Sequence, residues 1–251
     1  MRSPTDPSFL LDVLHCDGQS GTRMEESRDI VALTEEYVRN EMNELDGSHD
    51  FHHIQRVRAM ALKIAQIEQG VDLEIVQLAA LLHDIDDWKY RKEGAKSQFK
   101  VREWLTSQNY DHVKLEKVFE IVEGIGFKSE IGTDSVKMSE MMERLPELAV
   151  VQDADRLDAI GAIGIARAFT FGGTRKSPLH NPDVELTTSK MTQDQYMKKS
   201  KFGGSTIQHF HDKLFHLKDM MKTDTGKMFV QERHDFMVQY VARFMLEWDA
   251  N

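Results

Sequence analysis

The sequence predicts an all-α fold, and three observations carry that prediction. Apolar residues recur at three- and four-residue spacings in run after run, and no stretch alternates apolar and polar residues between hairpin turns. One central run, "LEIVQLAALL", is apolar nearly all round, as a helix in the middle of a bundle must be. The pattern suggests a helical bundle of roughly seven to nine helices without sequence repeats.

Residues 1–24 are rich in Ser, Pro, Gly, Thr and Asp and read as a flexible tail, leaving 25–251 as one domain. Met24 opens a helical stretch in which Ile30, Leu33, Tyr37 and Val38 recur at helical spacing. "DGSHD" breaks it, with Ser48 placed to cap the next helix. That second helix carries Ile54, Val57, Ala61, Ile64 and Ala65 on one face and ends near Gly70. The central helix starts after Asp72. Further helical runs are "VKLEKVFEIVEGI", "VKMSEMMERL", "DADRLDAIGAIGIARAF", "STIQHFHDKLFHLKDMM" and "GKMFVQERHDFMVQYVARFMLEW". The methionines and aromatics of the last run, Met228, Phe229, Phe236, Met237, Tyr240, Phe244, Met245 and Trp248, read as core.

Residues 172–204 interrupt the helical pattern. The segment holds six basic residues (Arg175, Lys176, Lys190, Lys198, Lys199, Lys201) against three acids (Asp183, Glu185, Asp194). In an acidic protein it is either an anion-attracting lid, with glycine pairs at both ends permitting hinge motion, or a solvated insertion.

The 251 residues, 40% of them hydrophobic, suffice for a sizeable core. A net charge of −10 argues against a nucleic-acid polymer as partner, while leaving room for a small anionic substrate at a local positive site. The single cysteine, Cys16, excludes an internal disulfide framework and a Cys-rich zinc site, and the chain reads as cytoplasmic. No run approaches the ~20 apolar residues of a membrane helix. Oligomeric state leaves no mark in the sequence.

The chemistry starts at "LLHDIDDW", Leu81 to Trp88, which sets a histidine and three aspartates directly behind the central helix. Buried carboxylates are costly unless paired, hydrogen-bonded or bound to a metal. Acids at a helix C-terminus also oppose its dipole. Two other segments add to the signal. "HDFHHIQRV" offers three histidines at the start of an amphipathic helix, and "QDADRLDAIGAIG" sets acids among small residues suited to close helix packing. On a helix, Asp153 points away from Asp155 whereas Asp158 shares its face, so Asp153 is read as an N-cap and Asp158 as a support behind the site.

These three motifs, in this order, resemble the HD-domain superfamily of metal-dependent phosphohydrolases over about residues 27–249, and specifically its small single-domain branch. The resemblance implies an all-α HD fold and four metal ligands: His53, three residues before the Arg-Val pair, then His83 and Asp84, and Asp155 directly before Arg-Leu. His49, one turn from His53, competes for the first position or lies just outside it; His52 points elsewhere. Relatives use an acid three residues beyond the Asp of the pair to handle the water proton, which implies Asp87 beside Asp84 as the catalytic carboxylates. Many carry Glu where this chain has the shorter Asp87.

Two imidazoles and two carboxylates suit Mn²⁺ first, with Fe²⁺, Co²⁺, Ni²⁺ or Zn²⁺ as alternatives, better than Mg²⁺. A six-coordinate ion held by four side chains keeps two positions open, one for an acidified water and one for a phosphoryl oxygen. The branch implies a substrate that is a small phosphorylated metabolite, a nucleotide, and cleavage of a nucleoside triphosphate to monophosphate and pyrophosphate. Phosphomonoester hydrolysis, a di-iron oxygenase and a non-catalytic metal- or nucleotide-binding module are the alternatives. Arg56 either neutralises a phosphate or pairs with an acid inside the bundle. Lys128, Lys198, Lys199, Lys201, His209 and Lys213 are the remaining phosphate candidates, each weighed against a solvated or structural role.

Overall fold

Four aspartates, Asp29, Asp50, Asp72 and Asp111, each stand one residue ahead of a helix. Their carboxylates accept the first free backbone N–H groups, from Val31 at 3.0 Å, His53 at 2.9 Å, Glu74 at 2.9 Å and Lys114 at 2.9 Å. They start α1 (Ile30–Glu41), α2 (Phe51–Ala65), α3 (Leu73–Leu82) and, after α4 (Ser97–Ser107), α5 (His112–Ile125). The chain continues through α6 (Ser135–Arg144), α7 (Pro146–Asp158), α8 (Gly161–Thr174), α9 (Thr206–Asp212), a 3-10 helix (Leu214–Met220) and α10 (Asp224–Trp248). The computed structural model describes residues 29–42, 50–85, 97–126, 135–184, 186 and 204–251. Among them there are ten α-helices and one 3-10 helix, and no strand. The all-α expectation holds, with slightly more helices than anticipated.

α3 occupies the centre, packed against α1, α2, α5 and α7. Its Val76, Leu78, Ala79, Ala80, Leu81 and Leu82 are fully buried, which is why the run had to be apolar on every side. A second layer forms where α8 and α9 meet α10. There Phe169 lies 6.2 Å from Phe210, 6.0 Å from Tyr240 and 6.1 Å from Phe244, centroid to centroid. No helix among the described residues is long and apolar enough to cross a membrane.

Several expectations are corrected. The first described helix starts at Ile30 because Asp29 leaves the helical region to cap it. Asp50, not Ser48, caps α2, and that helix ends at Ala65 rather than near Gly70. Asp153 is no N-cap of its own helix: α7 begins at Pro146, and Asp153 lies in its interior. The run "DADRLDAIGAIGIARAF" is two helices, not one, broken at Ala159 and Ile160, with Gly161 at φ 72°. "STIQHFHDKLFHLKDMM" likewise divides into α9 and the 3-10 helix. α4 was not anticipated; Val101 and Leu105 are its buried contacts to the core.

α8 runs through Gly172 and Gly173 to Thr174, so those glycines belong to a helix rather than a hinge. Gly172 is needed for close packing, since a Cβ there would overlap Thr206 Oγ1. Residues 185 and 187–203 of the expected lid, including Lys190, Lys198, Lys199 and Lys201, lie outside the described residues, as does the tail 1–24. On α10, Met237 is buried as expected, but Met228, Phe236 and Trp248 are exposed.

Candidate metal centre

α2 delivers the first imidazole. Capping by Asp50 places His53 in the first turn, where its ring is wholly buried. The side chain donates from Nδ1 to Asp158 Oδ2 at 2.7 Å. His83 is the C-cap residue of α3 and donates from Nδ1 to Ala80 O at 2.8 Å. In the neutral rings these partners assign both tautomers, which leaves both Nε2 atoms bearing lone pairs.

The two lone pairs face one another. His53 Nε2 and His83 Nε2 are 3.2 Å apart, with neither able to donate to the other in these tautomers. Asp84, just past the end of α3, sets its Oδ2 3.2 Å from His53 Nε2 and 3.6 Å from His83 Nε2. From α7, which packs directly on α2 and α3, Asp155 Oδ1 comes to 3.6 and 3.8 Å of the same two nitrogens. His53, His83 and Asp155 form the group whose ligand atoms all lie within 4.8 Å of one another, and Asp84 joins through its approach to both imidazoles.

Two imidazole nitrogens and two carboxylates thus converge on one place, and one of the carboxylates stands at the negative end of a helix dipole. A divalent cation satisfies such a set; another neutral group does not. The demand for positive charge is visible in His53. Burial pushes its imidazole down, but the Asp158 and Asp84 carboxylates beside it outweigh burial and raise it to about 9, with the charge on Arg167 acting against them. These residues fit a metal ion, and the absence of cysteine from the set makes the donors nitrogen and oxygen only.

Behind His53 stands a second arrangement. Asp158, on the same helix as Asp155, accepts from Arg56 Nε at 2.7 Å on Oδ1, and on Oδ2 from Arg56 Nη2 and Arg167 Nη1, both at 3.1 Å. Burial pushes the Asp158 carboxyl up, but His53, Arg56 and Arg167 together hold it far below the usual carboxylate range. Arg233 of α10 adds a bond to Leu157 O at the end of the same helix.

The structure therefore brings together His53, His83, Asp84 and Asp155, and places Asp158 against His53. Arg56 pairs with an acid, which was one of its two expected roles. His52 bonds Gln55 Oε1 on the exposed side of α2, away from the cluster. His209 is half-buried in α9 and Lys213 is its C-cap residue; neither belongs to the mutually close ligand group. His49, Asp87 and Lys128 lie outside the described residues. Sequence reasoning missed Arg167. The available signal was a lone arginine in the small, apolar run "AIGAIGIARAF", which needs an acid if it is to be buried.

The HD-domain family profile matches residues 50–160, the span from the cap of α2 to the end of α7. The uncharacterized protein YpgQ of Bacillus subtilis is 35% identical over 205 residues, covering 82% of this chain and 87% of its own. A structure of YpgQ in complex with ADP aligns at a TM-score of 0.64 with 33% identity, covering 86% of this chain and 97% of that one. A Lactobacillus plantarum protein aligns at 0.75 with 31% identity, covering 92% of this chain and 100% of the other. An HD-superfamily hydrolase from Bacillus thuringiensis aligns at 0.63 with 30% identity, over 90% of this chain and 100% of the other. The chain belongs to the HD-domain superfamily of hydrolases.

Proposed function

We propose that this hydrolase is a metal-dependent phosphohydrolase acting on a nucleotide, and that it cuts a nucleoside triphosphate to the monophosphate and pyrophosphate. The convergence of His53, His83, Asp84 and Asp155 carries the reading. The complex of its relative YpgQ with ADP supports a nucleotide as the substrate class.

His53 and His83 would hold a divalent cation through Nε2, and Asp84 and Asp155 through carboxylate oxygens, with Mn²⁺ the first assignment. When bound, the ion supplies Lewis acidity, both to a water nucleophile and to a phosphoryl oxygen. In the hydrolysis, the water oxygen bonds to the α-phosphorus as the bond from that phosphorus to the α,β-bridging oxygen breaks. The water's proton passes to a carboxylate of this chain, and Asp87, three residues beyond Asp84, is assigned that role. Arg56 is assigned to Asp158 rather than to substrate, because its Nε and Nη2 both engage that carboxylate. Charge on the pyrophosphate then falls to basic side chains, with Lys128, Lys198, Lys199, Lys201, His209 and Lys213 as candidates.

A panel of nucleoside mono-, di- and triphosphates incubated with Mn²⁺-loaded protein, with phosphate and pyrophosphate resolved by phosphorus NMR, tests this. Monophosphate and pyrophosphate should appear from triphosphates, and folded His83→Ala and Asp84→Ala variants should lose both metal and turnover. Variants that keep full metal content and full activity, or a wild type that binds nucleotide and releases neither product, would overturn it.

A further inference from the structure

We infer that Arg167 is a positioning residue for His53, acting through Asp158 in concert with Arg56 to present Nε2 to the metal. The inference rests on the metal-centre reading above and adds a residue to it. Three helices meet at the Asp158 carboxylate: α2 sends His53 and Arg56, α8 sends Arg167, and α7 carries Asp158 itself. The two oxygens are held differently. Arg56 Nε anchors Oδ1 at 2.7 Å, whereas Oδ2 receives His53 Nδ1 at 2.7 Å together with Arg56 Nη2 and Arg167 Nη1.

Arg167 is therefore directed at the same oxygen that orients the imidazole. Arg56 comes from the helix that carries His53, and its side chain is 36% exposed, so alone it ties Asp158 only to α2. Arg167 is 13% exposed and approaches from α8, which fixes the carboxylate from the other side. With three donors on one oxygen, the carboxylate cannot swing without breaking a bond, and the His53 ring is held with Nδ1 toward Asp158. Its Nε2 then lies toward His83, Asp84 and Asp155. A partner that orients a ligating histidine in this way typically contributes ~10- to 100-fold in metal affinity.

Calorimetric titration with Mn²⁺ tests the inference on the full chain. Arg167→Gln should bind Mn²⁺ roughly tenfold more weakly than wild type. Arg167→Lys, which restores a charge and a donor but not the planar fork, should fall between the two. In an Asp158→Asn background, Arg167→Gln should cause little further loss, because both act through one carboxylate. Wild-type affinity in Arg167→Gln, or losses that add in full with Asp158→Asn, would overturn the assignment. If Arg167→Gln does not fold, Arg167→Lys decides: a few-fold loss supports the role and unchanged affinity refutes it. Failure of the wild type to bind Mn²⁺ would instead sink the metal-centre reading itself.

Discussion

Asp153 and Asp155 lie two residues apart on α7 and serve opposite sides of it. Asp155 faces the two imidazoles, whereas the buried carboxylate of Asp153 accepts from Lys222 N at 2.9 Å, Thr223 N at 2.7 Å and Thr223 Oγ1 at 2.8 Å. At ~100° per residue, two positions carry a side chain to the far side of a helix. One helix thus joins the candidate centre to the residues that start α10. Asp153→Ala should cost on the order of 3 kcal/mol, since it strands buried donors that had a charged acceptor. Asp155→Ala should leave stability nearly unchanged while weakening Mn²⁺ binding. Denaturant unfolding and Mn²⁺ titration of both variants separate the roles, and equal behaviour in the two assays would contradict this division.

Metal binding should be readable as stability. A ligand present at about a hundred times its Kd stabilises the folded state by about 2.7 kcal/mol. For a chain of this size that is roughly 5–10 °C in Tm. Mn²⁺ is expected to raise the Tm of wild type by that amount, excess chelator to reverse it, and His83→Ala to show no shift. A variant that shifts as much as wild type would place the ion elsewhere.

What was legible in the sequence follows the range of the interaction behind it. α3 buries seven of its ten residues and α5 seven of its fourteen, so their periodicity records the fold directly. The four candidate ligands were found because donor type and order carry chemical meaning before any contact is known. α4 was missed because the fully buried positions among its described side chains, Val101 and Leu105, are too few to make a pattern. Asp153 was misread for a different reason: its donors lie sixty-nine and seventy residues away, at Lys222 and Thr223. Arg167 meets its acid only after the chain turns between α7 and α8, a turn the helical periodicity of "DADRLDAIGAIGIARAF" concealed.

Acid should weaken the second layer. His211 buries Nε2 and His234 buries Nδ1 without a hydrogen-bond partner, and Phe215 packs on both rings at 5.1 and 5.7 Å. Burial pushes each imidazole below its ordinary value; nearby His180 and His216 add to this at His211, and Lys218 at His234. Asp212 opposes the shift at His211, as do Asp235 and Asp219 at His234. Because the folded pKa lies below the unfolded one, the unfolded chain binds the proton more readily. This stabilisation is complete above the ordinary imidazole pKa of about 6.5 and is lost as pH falls below it. Urea midpoints near pH 7.5 and 5.5 should differ less in a His211→Phe/His234→Phe double variant than in wild type, and an equal difference would rule these histidines out.

Gly164 controls the turn that delivers Arg167. An alanine Cβ at this position would overlap the carbonyl oxygen of Ala159, so the connection between α7 and α8 would have to open. Arg167 lies one turn further along α8, and its reach to Asp158 begins from that connection. Gly164→Ala should therefore cost about 1–3 kcal/mol as overpacking does, and weaken Mn²⁺ binding as well. Gly173, near the other end of α8, has nothing within 4 Å of the place its Cβ would take. Gly173→Ala should be neutral or stabilising by up to about 1 kcal/mol, because glycine is the poorer helix former. Denaturant unfolding of the pair distinguishes a steric demand of the turn from a general preference for alanine: if Gly164→Ala is as stable as Gly173→Ala, the turn does not hold Arg167 in place.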